Sequence, residues 1–480
     1  MRKRKLYIGI LSASILFYTS CKIAKPVAMP AVKEMPYAFA STDTANSMTV
    51  IAWKDFFADP YLTALIDTAL HNNTNLLISL QNIDILKEQL AVQKNGMLPK
   101  VDGVISAEGD HYGDYTMNGV GNYDTNLSPN INSKQHIPTP FTPDLFAGFR
   151  SSWEIDVWGK LKNQKRAAVA ALLASEQGRR VAITAMVSEI ATDYYSLIAY
   201  DNELKIVQKN IQLQSDALEI VKVQKEAGRA TELAVEQFAA QLYNTQGIEF
   251  GIRQQITETE DQLNVLLGRY PQPIARDSDI IHQPLPTVVI AGISSQLLIH
   301  RPDIQEAELG LRTAKANVAA ARAAFLPSIT LTPYVGVEAF SPSLLFDAGS
   351  IVYGALASLT APIFNQKQIK AGYAITNAQD KQAIYNYQHA LLNGFSEVTN
   401  NINSIQNNKA SFDLKDKEVT ALTNAVATAK DLYLSGYANY LEVITAQKGV
   451  LESELELVGN KKEQFIAVIN LYRSLGGGWN

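Results

Sequence analysis

The side chains that most often carry catalysis are few and scattered in this sequence. The 480 residues include one cysteine and six histidines, and they contain no Walker A loop, no G-x-S-x-G elbow and no H-E-x-x-H motif. One cysteine can make neither an intrachain disulfide nor a cysteine-based metal site. We therefore predict no enzyme, no metal site and no cofactor. The histidines are His71, His111, His136, His282, His300 and His389.

The one cysteine, Cys21, lies where an export signal would be cleaved. Four basic residues at 2–5 precede a mostly apolar stretch at 6–18, and small residues occupy 19–20. This layout is typical of a signal peptide and is too short for a spanning helix. Because it is similar to the lipobox of bacterial lipoproteins, we expect residues 1–20 to be removed and the Cys21 thiol to carry a covalent lipid. The alternative is a plain signal peptide with an incidental cysteine.

Composition excludes one class of partner and hints at another. Lys and Arg number 42 against 47 Asp and Glu, so the net charge of -5 offers no basic surface for nucleic acid. Charged residues make up only 19% of the chain, below the usual ~25%, which indicates surface that need not face bulk water. No internal run reaches the ~18 apolar residues of a spanning helix.

The second half of the chain repeats the spacings of the first. The segment 75–99 returns as 303–327, an offset of 228, and each copy runs from a helical stretch to a Leu-Pro pair. The segment 227–233 returns as 435–441, an offset of 208, with a glycine at the same place in both. A Leu-Gly pair further on keeps that second offset. Matched anchors in the same order predict two structural repeats.

Each half has the pattern helix, hairpin, very long helix, turn and helix, which predicts a mixed α/β fold. The repeats are the two principal domains, and shorter segments flank them. The predicted boundaries are a signal peptide at 1–20, an N-terminal linker at 21–60, a first repeat at 61–270, a linker at 271–298, a second repeat at 299–476 and a C-terminal tail at 477–480.

Four segments alternate apolar and polar residues with period two, as half-buried strands do. Their lengths of about 9–13 residues suit tilted strands that cross a bilayer, which need ~9–11. An ordinary sandwich sheet with one wet face is the alternative. Between the strands we expect a long surface loop in the first hairpin and a shorter one in the second. The segments are 101–109, 145–157, 328–338 and 351–363, and the loops are 113–143 and 341–350.

Two long stretches, 159–227 and 366–435, contain no proline and carry heptad-like apolar seams. A helix of about seventy residues is roughly 100 Å long at ~1.5 Å per residue. A bilayer core is only ~30 Å thick. The helices are therefore predicted to extend well outside the membrane as coiled coils.

Four strands cannot stand alone in lipid, because open sheet edges leave backbone groups unsatisfied. A closed barrel from one chain type needs a multiple of four strands. The interior side chains of an eight-stranded barrel would fill its lumen, whereas a twelve-stranded barrel is wide enough for a channel. Cyclic symmetry with three subunits is the economical solution, so we expect a homotrimer. In such a barrel Asp102, Arg150 and Glu154 would line the lumen, and the lipid-facing residues would be Phe149, Trp153 and Leu331.

Six short motifs follow one another along the chain. They are WKDFFADP at 53–60, WEIDVWGK at 153–160, RPDI at 301–304, AAFLP at 323–327, YLEV at 440–443 and LGGGW at 475–479. Each motif alone is weak, but together and in order they are specific. With these motifs the chain resembles the TolC-like outer-membrane efflux family, in the lipoprotein subgroup that serves resistance-nodulation-division pumps. The resemblance covers essentially all of residues 21–479.

The resemblance implies a fold and a function. The fold is a twelve-stranded trimeric transmembrane β-barrel, four strands from each chain, with a long α-helical periplasmic barrel. The function is a passive exit duct for drugs or other small toxic solutes, lipid-anchored in the bacterial outer membrane, with its helical domain in the periplasm. Its partners would be a periplasmic adaptor (membrane fusion) protein, an inner-membrane resistance-nodulation-division transporter and outer-membrane lipid.

Three alternatives stay open. A duct for type I protein secretion and a duct for metal efflux belong to the same family. The seven methionines are dispersed, which argues weakly against the metal duct. A periplasmic coiled-coil structural lipoprotein would keep the long helices without strands in lipid.

The resemblance also implies site residues around the two helix–helix turns. The turns would form the periplasmic tips that meet the adaptor, although a glycine cap without a partner explains the glycines equally well. A gate would lie beside the second tip, with Tyr433 in a hydrogen-bond network and Glu442 in an acidic ring. Thr445 replaces a second acidic residue of some members, which weakens that ring. The tip residues are Ala227, Gly228, Arg229, Ser435, Gly436 and Tyr437.

Overall fold

The computed structural model describes residues 27–32, 36, 52–277, 279–286, 295–362 and 366–479. Cys21 and the predicted signal peptide lie outside the described residues. Lipid attachment at Cys21 therefore stays a prediction.

Helices dominate the first half of the chain, with two strands between them. Three helices come first, a strand, a short helix and a second strand follow, and two long helices close the half. The fourth helix lies in the segment predicted to be a plain loop. The bounds are α1 Trp53–Phe56, α2 Pro60–Asn72, α3 Thr74–Asn95, β1 Lys100–His111, α4 Met117–Asn126, β2 Phe141–Ile155, α5 Lys160–Glu226 and α6 Glu232–Leu266.

The second half repeats this order without the two earliest helices and without an α-helix between its strands. Single 3-10 turns precede its first helix and its second strand. The predicted long helices are confirmed, since α5 has 67 residues and its counterpart α8 has 69. The bounds are α7 Pro302–Ala323, β3 Ser328–Ala339, β4 Ile351–Thr360, α8 Gln366–Leu434 and α9 Tyr440–Ser474.

Backbone hydrogen bonds reproduce both offsets, which confirms the two structural repeats. Near the hairpins, the bond from the Met97 amide to the Lys94 carbonyl recurs from Phe325 to Arg322, 228 residues on. The same holds at the ends of α6 and α9 with the offset of 208. There Gly268 and Gly476 both have positive φ, +67° and +86°, and each terminates its helix.

The start of α5 is set by local chemistry. Gly159 adopts φ +75°, and the Asp156 carboxylate accepts the backbone N–H groups of Leu161 at 3.1 Å and Lys162 at 2.7 Å. A carboxylate on the free N–H groups of a helix also favours the positive end of its dipole. The helix then runs to Glu226 without a proline to break it.

The four strands form one antiparallel sheet in the order β1-β2-β3-β4. Its registers pair odd residues with odd and even with even throughout, as in Gly103 with Phe149 and Phe149 with Val335. Because directly paired residues lie on the same side of a sheet, one face carries every odd position. The predicted alternation is therefore coherent across all four strands.

The odd face is almost wholly apolar, whereas the even face is mainly polar. Exposed aliphatic and aromatic side chains cover the odd face, among them Ile105, which is 89% exposed. On the even face, Phe146 is an apolar exception that lies against the paired glycines Gly148 and Gly336. The Arg150 guanidinium stands 4.5 Å over the Phe146 ring. One sheet thus presents two chemically different surfaces.

The strand bounds differ from the predicted ones by up to four residues, and the largest difference lies beside a proline. β2 begins at Phe141 rather than 145, and Pro143 pairs only with Gly109 on the β1 side. In β3 the ladder to β2 is interrupted beside Pro333. Proline has no N–H to donate, so a strand keeps it where one side needs no bond. β4 ends at Thr360, three residues before the predicted end.

The chain forms two compact units that cut across the repeats. One comprises residues 1–30, 85–172 and 309–384 and contains the sheet. The other comprises 31–84, 173–308 and 385–480 and consists of helices with their connections. Each repeat therefore contributes to both units, and neither repeat is a compact body by itself. In the part of the chain that the structure describes, no helix has the length and apolarity that crossing a membrane requires.

The core of the helical unit includes the last residues of the predicted linker and the tryptophan of the predicted tail. Trp53, Phe56 and Phe57 are buried in it, so the predicted linker at 21–60 is not a linker over its last residues. The predicted tail also packs, because Trp479 contacts this core and lies under the Arg180 guanidinium. In the segment between the repeats, Arg276 is ion-paired with Asp201 of α5 and Glu260 of α6.

Candidate gate and docking tips

The first tip is a tight turn between α5 and α6. Gly228 has φ +71°, its amide bonds to the Lys225 carbonyl at 2.9 Å, and the Arg229 amide bonds to the Gln224 carbonyl at 2.8 Å. This pair of bonds is the Schellman ending of a helix, in which the left-handed residue is nearly always glycine. The Thr231 side chain then caps the start of α6.

The second tip, between α8 and α9, repeats this geometry 208 residues later. Gly436 has φ +81°, and the Tyr437 amide bonds to the Leu432 carbonyl at 2.9 Å. The Asn439 side chain caps α9 as Thr231 caps α6. All six predicted tip residues are exposed. A Cβ on either tip glycine would meet nothing within 4 Å, so the backbone conformation alone demands glycine there.

An apolar cluster lies behind the tips and draws on all four long helices. Val221 of α5, Phe238 of α6 and Val443 of α9 are buried in it, and Tyr433 of α8 packs against it. An ion pair between Lys225 and Glu232 closes the first turn. The tips therefore stand on one shared core, which holds the two helix pairs together.

The structure places the two predicted gate residues in different environments. The Tyr433 hydroxyl donates to the Gln224 side-chain oxygen at 2.5 Å, which links α8 to α5, and burial raises the pKa of that hydroxyl. Glu442 is exposed in the first turn of α9, and its side chain has no hydrogen bond or ion pair among the described residues. Tyr433 therefore lies in an interhelical contact, whereas Glu442 is free for solvent or ions.

A cavity of about 260 Å³ next to this cluster was not predicted. Its walls come from the same four helices, and Gln214 is 1% exposed with neither amide atom hydrogen-bonded to protein. The side-chain oxygen of Gln447 is also buried without a partner. In the sequence, Gln214 interrupts the apolar seam of α5 between Ile211 and Leu218, and this interruption is the signal that could have predicted the cavity.

The described residues also bear on metal binding. No group of three or more His, Cys, Asp or Glu side chains there is placed to hold a metal ion.

An amphipathic four-stranded sheet with long paired helices fits the class of outer-membrane channel subunits, and comparisons with known proteins agree with that class. The sequence model of the family described as outer membrane efflux protein matches residues 65–269 and 293–477. The chain therefore belongs to the outer membrane efflux protein family. Members of this family are efflux channels of the outer membrane, and this chain is an outer-membrane protein of that kind.

Three relatives show how the similarity is distributed. The chain is 28% identical to the probable outer membrane lipoprotein SilC of Salmonella typhimurium, over 91% of this chain and 90% of that one. It is 28% identical to the cation efflux system protein CusC of Escherichia coli K12, over 96% and 97%. It is 27% identical to the toluene efflux pump outer membrane protein TtgF of Pseudomonas putida, over 89% and 85%. A crystal structure of CusC matches with a TM-score of 0.80 at 27% identity, over 95% of this chain and all of that one.

Proposed function

We propose that three copies of this chain close a twelve-stranded barrel and form the passive exit duct of a tripartite efflux system. The single observation that carries the proposal is the sheet with one apolar and one polar face and two free edges. Among the described residues, neither β1 nor β4 has a second neighbour. In lipid those edges must be paired, and other copies of the chain provide the same edges.

Mass and conductance test this proposal together. Protein extracted from outer membranes in mild detergent is expected to have the mass of a trimer and to form pores in a planar bilayer. A soluble monomer or dimer without conductance would contradict it and would support the structural coiled-coil lipoprotein instead. The duct itself performs no catalysis, and an inner-membrane transporter supplies the energy.

We further propose that the exported solutes are small, toxic and preferentially cationic, which includes amine drugs and metal cations. The polar face of the sheet would line the lumen, and carboxylates outnumber cations on it. Rings of acidic side chains select cations in pores. The relatives named for cation efflux and for toluene efflux are 28% and 27% identical to this chain, so the proposed cation preference rests on the charge of the polar face and not on either name. The acidic residues are Asp102, Glu108, Asp110, Asp144, Glu154 and Glu338, against Lys100 and Arg150.

Reversal potentials across a bilayer with a salt gradient would measure that selectivity. A cation preference that falls when Asp102 and Glu154 are replaced by Asn and Gln is expected. An anion-selective wild-type pore would contradict the assignment of this face to the lumen.

The tips and the gate are proposed to act at the periplasmic end. The six tip residues would dock the adaptor, and Tyr433 with Gln224 would hold the closed state. Three symmetry-related Glu442 carboxylates would attract divalent cations at the aperture. Replacement of Glu442 by Ala is expected to relieve divalent block of the pore, and an unchanged block in planar-bilayer recordings would refute the acidic ring. Cys21 would anchor the mature N-terminus through its lipid.

A further inference from the structure

A second cavity lies in the sheet-containing unit, between α7 and the first turns of α8. Its volume is about 510 Å³. On α7 the lining residues Lys315, Val318 and Arg322 share one helix face, and on α8 Asn377 and Asp380 do so, since residues three, four or seven apart are neighbours on a helix. The cavity thus has a cationic wall and an acceptor-bearing wall.

The acceptor wall is buried and unsatisfied. Asn377 is 4% exposed and Asp380 is 3% exposed, and one side-chain oxygen of each has no hydrogen-bond partner. The Asn377 amide nitrogen is used, because it donates to the Tyr373 carbonyl at 2.6 Å. Burial raises the pKa of Asp380, and Lys315 partly opposes that rise. Buried acceptors without donors are costly, so this wall fits a ligand that brings donors.

The cationic wall is at the mouth. Lys315 and Arg322 are both exposed, and neither has an ion pair within the described ranges of the chain. Two cations on one helix face, neither of them in an ion pair with a described carboxylate, suit an anionic group such as a phosphate. A ligand with a donor at its tip and an anion one step behind would satisfy both walls.

The position of the cavity points to lipid as the source of that ligand. Trp158 lines it three residues after β2 ends, and Leu326 lines it two residues before β3 begins. Trp158 is 50% exposed, while its indole N–H is held by the Pro327 carbonyl at 2.7 Å. The exposed apolar side chains of Val27 and Met29 complete the rim. Tryptophan is enriched where membrane-spanning strands meet the headgroup layer.

We propose that this cavity binds the headgroup of a phosphoethanolamine lipid. The terminal ammonium enters first and donates to Asn377 and Asp380, and the phosphate follows between Lys315 and Arg322. The acyl chains leave over Val27, Met29 and Trp158. The ammonium is the end group of the lipid and the phosphate comes next, just as the acceptor wall is buried and the cationic wall lies at the mouth. The site would fasten the ends of the strands to the inner leaflet.

Native mass spectrometry of the intact protein tests the proposal. The protein is released from nanodiscs that contain phosphatidylethanolamine and phosphatidylglycerol in equal amounts, and the retained lipids are identified by mass. Wild type is expected to retain phosphatidylethanolamine preferentially. Asp380→Asn should reduce that preference roughly tenfold, the equivalent of one lost charge-assisted hydrogen bond. Lys315→Gln combined with Arg322→Gln should reduce retention of both lipids.

Matched variants separate this site from general effects. Lys370→Gln removes an exposed cation of α8 that does not line the cavity, and Glu88→Gln removes an exposed carboxylate of α3. Both should retain lipid as wild type does. Equal retention of the two lipids by wild type, or an unchanged preference in Asp380→Asn, would overturn the proposal.

Two other occupants are distinguished in the same experiment. One such occupant is a soluble solute. If the protein in discs of phosphatidylglycerol alone bound soluble O-phosphoethanolamine, and retained no phosphatidylethanolamine from mixed discs, the cavity would be a solute site and the lipid assignment would be overturned. Lys25 precedes Val27 by two residues in the sequence. If only the Lys25→Gln variant retained lipid, the Lys25 ammonium would compete with the lipid ammonium for the acceptor wall, and the proposal would fail.

Discussion

Gln214 occupies a position in the apolar seam of α5 where an aliphatic side chain would pack. Both of its amide atoms are buried without a protein partner. An unsatisfied buried polar group costs roughly 1–3 kcal/mol. We therefore expect Gln214→Leu to raise the thermal midpoint of the purified protein.

The matched control for Gln214 is Gln208→Leu. Gln208 is an exposed glutamine of the same helix that donates to Glu249 at 3.1 Å, so its loss should change the midpoint little or lower it slightly. A lower midpoint for Gln214→Leu would mean that ordered water in the cavity satisfies the amide, and that the polar seam position is stabilising.

The carboxyl of Asp193 makes the stability of the folded protein depend on pH. Burial, and to a smaller extent the nearby Glu189, raises the pKa of this α5 carboxyl to about 7. An unfolded chain releases the proton near pH ~4. Between those values the folded state binds more protons than the unfolded state, so this residue makes stability fall as pH rises.

Asp193→Asn removes that contribution. The midpoint difference between the variant and wild type should therefore be small at pH 4 and should grow up to about pH 8. Asp413→Asn replaces an exposed carboxyl of α8 and is the control. Parallel midpoint-against-pH curves for wild type and Asp193→Asn would contradict the prediction.

The glycines of the two tip turns are required only by backbone conformation, so their replacement has a predictable effect on stability. Gly228→Ala and Gly436→Ala should each cost about 1–2 kcal/mol, the penalty of a left-handed residue with a Cβ. Gly247 lies inside α6, where a Cβ also meets nothing within 4 Å but φ is not positive. Gly247→Ala should stabilise the helix by about 0.5–1 kcal/mol. Chemical denaturation in detergent would measure these opposite signs, and destabilisation by all three variants would refute the argument.

The same elements show what the sequence could predict. The strands and long helices were predicted because their periodicity is local, and the tip glycines because the repeat places them in register. The helix α4 was not predicted, because Gly119 and Gly121 are poor helix formers and the Thr116 side chain that caps its start gives no periodic signal. The bond from Tyr433 to Gln224 joins residues 209 apart and depends on which helices pack together. No local pattern encodes that choice.

For the whole molecule, the two faces of the sheet make the assembly testable without a structure of the trimer. Ile105 and Ser106 are neighbours in β1 and pair with Ala147 and Phe146, so they point to opposite faces at the same depth. A lysine on the lipid face of a membrane barrel costs roughly 2–4 kcal/mol near the midplane, whereas lumen positions tolerate charge.

Ile105→Lys should therefore reduce the amount of trimer in outer-membrane fractions, and Ser106→Lys should leave it near the wild-type level while lowering the cation preference of the pore. The two variants have the same added charge and the same strand, so expression and net charge cannot explain a difference between them. If Ser106→Lys were the variant that failed to assemble, the polar face would be the one in lipid and the duct would be inside out. If both assembled equally well, the sheet would not lie in the membrane, and its apolar face would have to be covered by protein contacts outside the membrane.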